Sequence, residues 1–339
     1  MTAPPQTDPT TLMHRASLPR SKSSSASPVR APSEFRLDLY GSRSSGDPAN
    51  ALDPGHDEID WTRCVPFILL HVACLAVFLV GWSWIAVGTA TAMYLLHMFA
   101  ITGFYHRYFS HRAFKTSRAF QFVMAFIGAT SVQRGPLWWA AHHRHHHIHS
   151  DDETDAHSPR QRGFWMSHCG WFLTKGAYST PLRYVRDWMK YPELRWINRF
   201  DFVAPVALAI GLFGLGELLR FAAPGLGADG WQLLVWGFVL STVVTYHATY
   251  TINSLAHRVG RRRYDTGDDS RNNFLLALLT LGEGWHNNHH YYPASARQGF
   301  FWWEIDLTYY GLWLLSKAGL IWDLRPVSER ALREGRGGA

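Results

Sequence analysis

The chain has 339 residues, 47% of them hydrophobic and 15% aromatic, and its 33 Lys and Arg outnumber 26 Asp and Glu to give a net charge of +7. The apolar residues are bunched into long uncharged runs, which excludes a wholly disordered chain and argues against a water-soluble globule. No nucleic-acid motif accompanies the surplus cations, so they fit anionic lipid headgroups better than nucleic acid.

Residues 1–55 are rich in Ser, Pro, Arg and Ala, poor in large apolar side chains, and without the compact apolar core of a secretory signal. They are expected to be a disordered N-terminal tail. Residues 65–82 and 84–104 then form two runs nearly free of charge. At ~1.5 Å per residue each is long enough to cross a hydrocarbon layer of ~30 Å. The brief link Gly81, Trp82 and Ser83 predicts a transmembrane hairpin. A second pair, 202–223 and 231–252, flanks the turn-rich stretch Ala223 to Gly230. Residues 56–325 are therefore expected to be an all-α integral membrane domain with four spans in two hairpins, and 326–339 a C-terminal tail.

Arg15, Arg20, Lys22, Arg30, Arg36, Arg43 and Arg63 precede the first span and Arg258, Arg261, Arg262 and Arg263 follow the fourth, while both hairpin tips are nearly uncharged. That bias places both termini, and the polar segments that follow each hairpin, in the cytoplasm. The aromatic stretch 300–313 suits an amphipathic helix at headgroup level that anchors rather than spans. Cys64, Cys74 and Cys169 have no paired spacing, so neither a disulfide framework nor a thiolate metal site is expected.

Histidines carry the chemistry. His106 with His111, His143 with His146 and His147, and His286 with His289 and His290 all lie just beyond apolar runs. Neutral imidazole is the commonest protein ligand for iron and zinc. In H-x-x-H-H, positions i, i+3 and i+4 share a helical face, and the last two diverge by about 100°, so one motif can serve two metal ions. His106 and His111, five apart, need a helix end or a turn to converge. The middle run also allows a second frame, His142 with His145 and His146. These groups predict a cytoplasmic helical cap holding a histidine-ligated dimetal site.

Three stretches carry a resemblance to the membrane fatty-acid desaturases, of the stearoyl or acyl-CoA delta-9, bacterial type. His106-Arg107-Tyr108-Phe109-Ser110-His111 is similar to that family's H-R-x-x-S-H box. Trp139 to His147, with His157-Ser158-Pro159 downstream, resembles its second box, and Gly282-Glu283-Gly284-Trp285-His286-Asn287-Asn288-His289-His290 its third. The resemblance covers about residues 60–320 and selects the frame His143, His146 and His147. It also implies a ninth ligand, His257, and a water-mediated contact from Asn253, within Asn253-Ser254-Leu255-Ala256-His257. The i, i+4 spacing agrees, since it puts both on one helical face.

The resemblance further implies two iron ions, O2 as oxidant, a cis double bond introduced at delta-9 into a long saturated acyl chain, and a bacterial inner membrane location. Nine imidazoles divide as five and four, which favours a coordination number above that of tetrahedral zinc. Acidic neighbours could accept the second ring N–H of a ligand. Asp152, Asp155, His157, Glu283 and Asp265 are the expected outer contacts, with Asp268 and Asp269 also near, whereas Asp151 and Glu153 read as a solvated acidic loop. His14, His56, His168 and His247 read as ordinary polar residues, and His71 and His97 as neutral histidines bonded to a neighbouring helix.

No haem, flavin, nicotinamide or iron–sulfur motif is present, so a separate donor of the ferredoxin or cytochrome b type with its reductase is expected. Arg261 to Arg263 could dock such an acidic protein or simply obey the positive-inside bias. Acyl-CoA is the expected carrier and a lipid-bound chain the alternative, because Ala141 and His142 replace the Arg-Asp pair of the acyl-CoA enzymes. An acyl hydroxylase would share the scaffold. A divalent-metal transporter fits less well, since it would carry polar groups inside several spans.

Overall fold

The structure is a computed structural model and describes residues 58–337; the expected tail 1–55, which contains His14, and also His56 lie outside them. The fold is mostly helical. Its only strands among the described residues are β1 (Lys115–Thr116) and β2 (Ile321–Trp322), paired antiparallel with Lys115 opposite Trp322.

Four helices are long and apolar enough to cross a membrane: α1 (Trp61–Val80), α2 (Trp84–Ser110), and, further along the chain, Val203–Ala222 and Gly230–Ser254. Helix α1 begins four residues before the expected span. The reason is local, since the Asp60 side chain accepts from the Thr62 N–H and caps the helix ahead of Pro66. Ser83 caps α2 in the same way through the Ala86 N–H. Large apolar side chains such as Leu69, Phe78, Leu79, Ile210 and Phe221 stand 60–87% exposed on these helices, a surface suited to lipid tails.

Helix α2 outruns its expected end at residue 104. Its last eleven residues, Ala100–Ser110, widen into a π-helix in which the His111 N–H donates to the His106 carbonyl at 3.2 Å. An i to i+5 hydrogen bond stacks residues five apart, so the widened turn itself supplies the convergence that the H-R-x-x-S-H spacing required.

Between the second and third membrane helices lie α3 (Arg118–Ala129), α4 (Pro136–His149), α5 (Pro159–Trp165) and α6 (Pro192–Arg199). The third and fourth membrane helices are α7 (Val203–Ala222) and α8 (Gly230–Ser254), followed by α9 (Phe274–Leu279), α10 (His286–Tyr291), α11 (Leu307–Lys317) and α12 (Glu329–Gly337). The main core joins the end of α2 to α3, α4 and α6 through Tyr105, Phe109, Met124, Leu137, Leu194 and Ile197, each 2% exposed or less. Arg144 on α4 locks this packing by donating to the Phe109, Ser110 and Tyr184 carbonyls and to Asp187.

Two stretches differ from expectation. Phe300 and Phe301 are not on a headgroup-level helix but buried against Tyr264, and the helix begins only at Leu307, where Asp306 caps it. The expected C-terminal tail contains α12, whose Ala331 is fully buried in that same cluster and whose backbone carbonyl accepts from the Tyr264 hydroxyl. The apolar positions of a nine-residue helix are too few to announce it in the sequence.

Candidate metal centre

All nine expected histidines converge. His106, His111, His143, His147 and His289 form one group and His146, His257, His286 and His290 a second, with the ligand-capable atoms of each group within 4.8 Å of one another. Each H-x-x-H-H motif is split between them. On α4, His143 and His147 face one group and His146 the other; on α10, His286 and His290 pair off and His289 crosses over. The 100° step per residue does this, because positions i and i+4 nearly eclipse while i+3 projects to the side.

The other frame of the middle run is kept out by packing. His142 lies among Trp138 and Trp171 and its Nε2 meets the Ser179 carbonyl at 3.2 Å, while His145 stacks on His149 at 4.5 Å. Burial pushes the His142 imidazole down to about 3 and that of His145 to about 4.

Within the groups, Nε2 meets Nε2 at 2.8 Å for His111 and His143, 2.8 Å for His147 and His289, 3.0 Å for His106 and His289 and 3.0 Å for His257 and His286. Two nitrogens bound to one ion at ~2.1 Å stand ~3.0 Å apart at a right angle and ~3.4 Å apart at a tetrahedral angle. The spacing therefore lets the ring nitrogens of each group reach a shared ion. His290 Nε2, in the second group, is buried without a hydrogen-bond partner among the described residues, as the donor atom of an ion site would be.

Carboxylates fix the rings from behind. Glu283 takes the Nδ1–H of His106, Asp155 that of His146 at 2.9 Å, Asp151 that of His257 at 2.8 Å, and Asp268 that of His290 at 2.6 Å. Each bond holds one nitrogen protonated and turns Nε2 inward as a lone pair. Burial, then the charge of neighbouring imidazoles, pushes His111, His143, His147, His286 and His289 well below the ordinary histidine range, so their lone pairs stay free. Although burial opposes charge on Asp155, His146 and His157 hold its carboxyl well below the usual range, and Asp155 in turn raises His146.

Several expected outer contacts change. Asp155 meets both His146 and His157, and Glu283 meets His106. Asp152 instead pairs with His149 at the surface, and Asp265, its side chain 97% exposed, meets only Arg262 among the described residues. Asp151, read as a solvated loop residue, is 6% exposed and holds His257. The acidic run Asp151-Asp152-Glu153 cannot reveal which member turns inward. The choice is made by the backbone, where Asp151 adopts a left-handed φ of 60° straight after α4.

His257 also departs from the expected helical face. Helix α8 ends at Ser254, and His257 is carried in the turns beyond it while Asn253 lines a cavity beside the histidines. That cavity, of about 50 Å³, is bounded by Met98, Ile101, Thr102, Ile252 and Asn253 together with histidines of both groups. His71 and His247 bond each other at 3.0 Å and His247 continues to His168 at 3.1 Å, whereas His97, expected to bond a neighbouring helix, is buried with no hydrogen-bond partner among the described residues.

A family model described as "Fatty acid desaturase" matches residues 82–324. The chain belongs to the fatty acid desaturase family. It is 35% identical over 271 residues to an sn-1 stearoyl-lipid 9-desaturase of Anabaena variabilis, covering 79% of this chain and 94% of the relative. It is 40% identical over 266 residues to an acyl-CoA 5-desaturase of Anemone leveillei, covering 77% and 78%. A hex-5-enoyl-[acyl-carrier protein] acetylenase of Moorena producens matches at 35% over 293 residues, covering 80% and 88%. This desaturase is accordingly an oxidoreductase of fatty acyl chains and a membrane protein.

Proposed function

We propose that this desaturase introduces a cis double bond at delta-9 into a long saturated acyl chain, with two iron ions held by the nine histidines and Asn253 in contact through water. The observation that carries the reading is the convergence of nine imidazoles as five and four, with four of them backed by buried carboxylates. The overall balance is –CH2–CH2– + O2 + 2 e⁻ + 2 H⁺ → –CH=CH– + 2 H2O.

A bound diiron centre supplies the O2-activating oxidant that an unactivated methylene requires and that no side chain provides. The protein's own residues do the rest. Met98, Ile101 and Ile252 offer apolar contact to a methylene chain beside the histidines and limit water there. Asp151, Asp155, Asp268 and Glu283 hold the rings in register so that O2 and substrate meet a fixed geometry. A ferredoxin or cytochrome b type protein with its reductase delivers the electrons. The Arg258 to Arg263 segment supports a cytoplasmic site, with both termini on that side of a bacterial inner membrane.

For the carrier, acyl-CoA loses support at the second box. Ala141 is fully buried and His142 is 9% exposed against tryptophans, so neither presents a cation to a coenzyme A phosphate. A lipid-bound chain is the reading this favours, in keeping with the stearoyl-lipid relative.

Expression in a host without its own desaturase, followed by mass spectrometry of the membrane fatty acids, tests the function. A new double bond that disappears in His286→Ala supports it and locates the bond. An oxygenated product would assign a hydroxylase. Folded, iron-loaded protein that modifies no acyl chain with either donor type would refute the reading.

A further inference from the structure

Away from the histidine centre, a pocket of about 690 Å³ lies between the segment after α8 and the start of α9, lined by Arg261, Arg262, Phe274, Leu275, Trp285 and Trp303. Its charge is unbalanced. Arg263 is taken by Glu304 at 2.6 Å, but among the described residues Arg262 reaches only the exposed Asp265 at 3.4 Å. The Arg261 backbone is fixed by two bonds to Asn272, at 2.9 and 2.8 Å, while its guanidinium has no partner among the described residues.

The opposite character adjoins it. Phe274, Leu275, Leu278 and Leu279 of α9 are 40–74% exposed and Trp303 is 51% exposed. The Leu279 carbonyl accepts from the hydroxyl of Tyr94, a residue well inside the membrane helix α2, so α9 reaches down to the apolar layer. The pocket thus joins the Arg261 guanidinium, unpaired among the described residues, and that of Arg262, in contact with the exposed Asp265 at 3.4 Å, to a lipid-level apolar wall. A guanidinium recognises phosphate oxygens in pairs, and tryptophan favours the headgroup zone.

We propose that this pocket is a binding site for an anionic membrane phospholipid, with the phosphate on Arg261 and Arg262 and the acyl chains along Phe274 and Leu275. The proposal does not depend on the desaturase reading. It accounts for an arginine, Arg261, whose backbone is fixed by Asn272 while its guanidinium has no carboxylate partner among the described residues, beside a second, Arg262, that meets the exposed Asp265.

The test is native mass spectrometry of the full chain, delipidated in detergent and titrated with phosphatidylglycerol, with a phosphate-free diacyl glycolipid of equal chain length, and with inorganic phosphate alone. Phosphatidylglycerol should be retained selectively, and Arg261→Ala/Arg262→Ala should bind it roughly thirtyfold more weakly. Arg195→Ala, which removes an exposed charge elsewhere, should bind as the parent does. An unchanged melting midpoint shows that the double variant is folded; if it is not, Arg261→Gln alone carries the comparison.

Equal retention of the glycolipid, or no loss in the variants, overturns the proposal. Tight binding of inorganic phosphate that displaces the lipid would assign a soluble phosphate ligand instead. Normal lipid binding combined with lost coupling to a reduced acidic ferredoxin would assign the arginines to docking of an electron donor.

Discussion

Asp151 and Asp152 are neighbours with opposite fates, and the difference is one of solvent rather than of chemistry. Asp151 is buried against His257 and Ser158, where the hydrogen bond and charge of His257 outweigh burial and hold its carboxyl well below the usual range. Replacing it by Asn removes the acceptor for the His257 ring N–H, and losses of this kind amount to about 10–100-fold in metal affinity or activity. Asp151→Asn should therefore lower iron content and turnover together, while Asp265→Asn leaves both unchanged; equal iron in the two variants would contradict the assignment. The middle histidine run gives a second residue-level expectation. His143→Ala, His146→Ala and His147→Ala should each abolish desaturation and deplete iron, whereas His142→Ala and His145→Ala should keep their iron. Full loss at His142 with full activity at His147 would reverse the frame.

At the scale of elements, the third box depends on a turn that admits little but glycine. Gly282 has φ of 132°, and a Cβ there would meet an Asp306 oxygen at 2.4 Å; a Cβ on Gly284 would meet the Ala277 backbone nitrogen at 2.1 Å. Between them Glu283 is drawn under His106 and bonded to Arg107, itself paired with Asp306. The G-E-G triplet is thus a backbone requirement that delivers a carboxylate. Gly284→Ala should push α9 off this turn and destabilise the protein by about 1–3 kcal/mol, with a matching drop in the melting midpoint and in iron content. A melting curve superimposable on the parent's would show that the turn yields more easily than its contacts imply. The same logic explains the end of α2. Composition places the end of its apolar run near residue 104, but the π-helical widening that carries it to Ser110 depends on packing against α3 and α4, which no local pattern records.

For the whole molecule, the centre couples stability to pH. His111, His143, His147, His286 and His289 have folded pKa values well below their unfolded value near 6.5, because burial and then neighbouring imidazoles oppose the charge. The folded state then binds fewer protons than the unfolded state below that value, so stability is fully present above about pH 6.5 and falls as the pH drops through it. Iron-stripped protein in detergent should hold a constant melting midpoint from about pH 8 to 7 and lose it progressively toward about pH 5. Bound metal delays the loss, because protons and metal compete for the same lone pairs. A midpoint flat down to pH ~5 would mean that these rings gain protons in the fold as readily as outside it.

The sequence by itself determined the apolar spans, the three histidine boxes and the division of each H-x-x-H-H motif between two groups, because these follow from residue type, a 1.5 Å rise and a 100° step. It also contained the resemblance that the family comparison bears out. Only the tertiary structure decided which carboxylates back the rings, how His106 and His111 converge, where His257 sits beyond α8, and that residues 329–337 fold onto Tyr264. Those outcomes depend on burial and on packing between elements, at its longest range between residues more than a hundred positions apart, as for Asp151 with His257 and His106 with Glu283. A side chain's partner at that range is set by the packing of whole helices, and no periodicity along the chain encodes it.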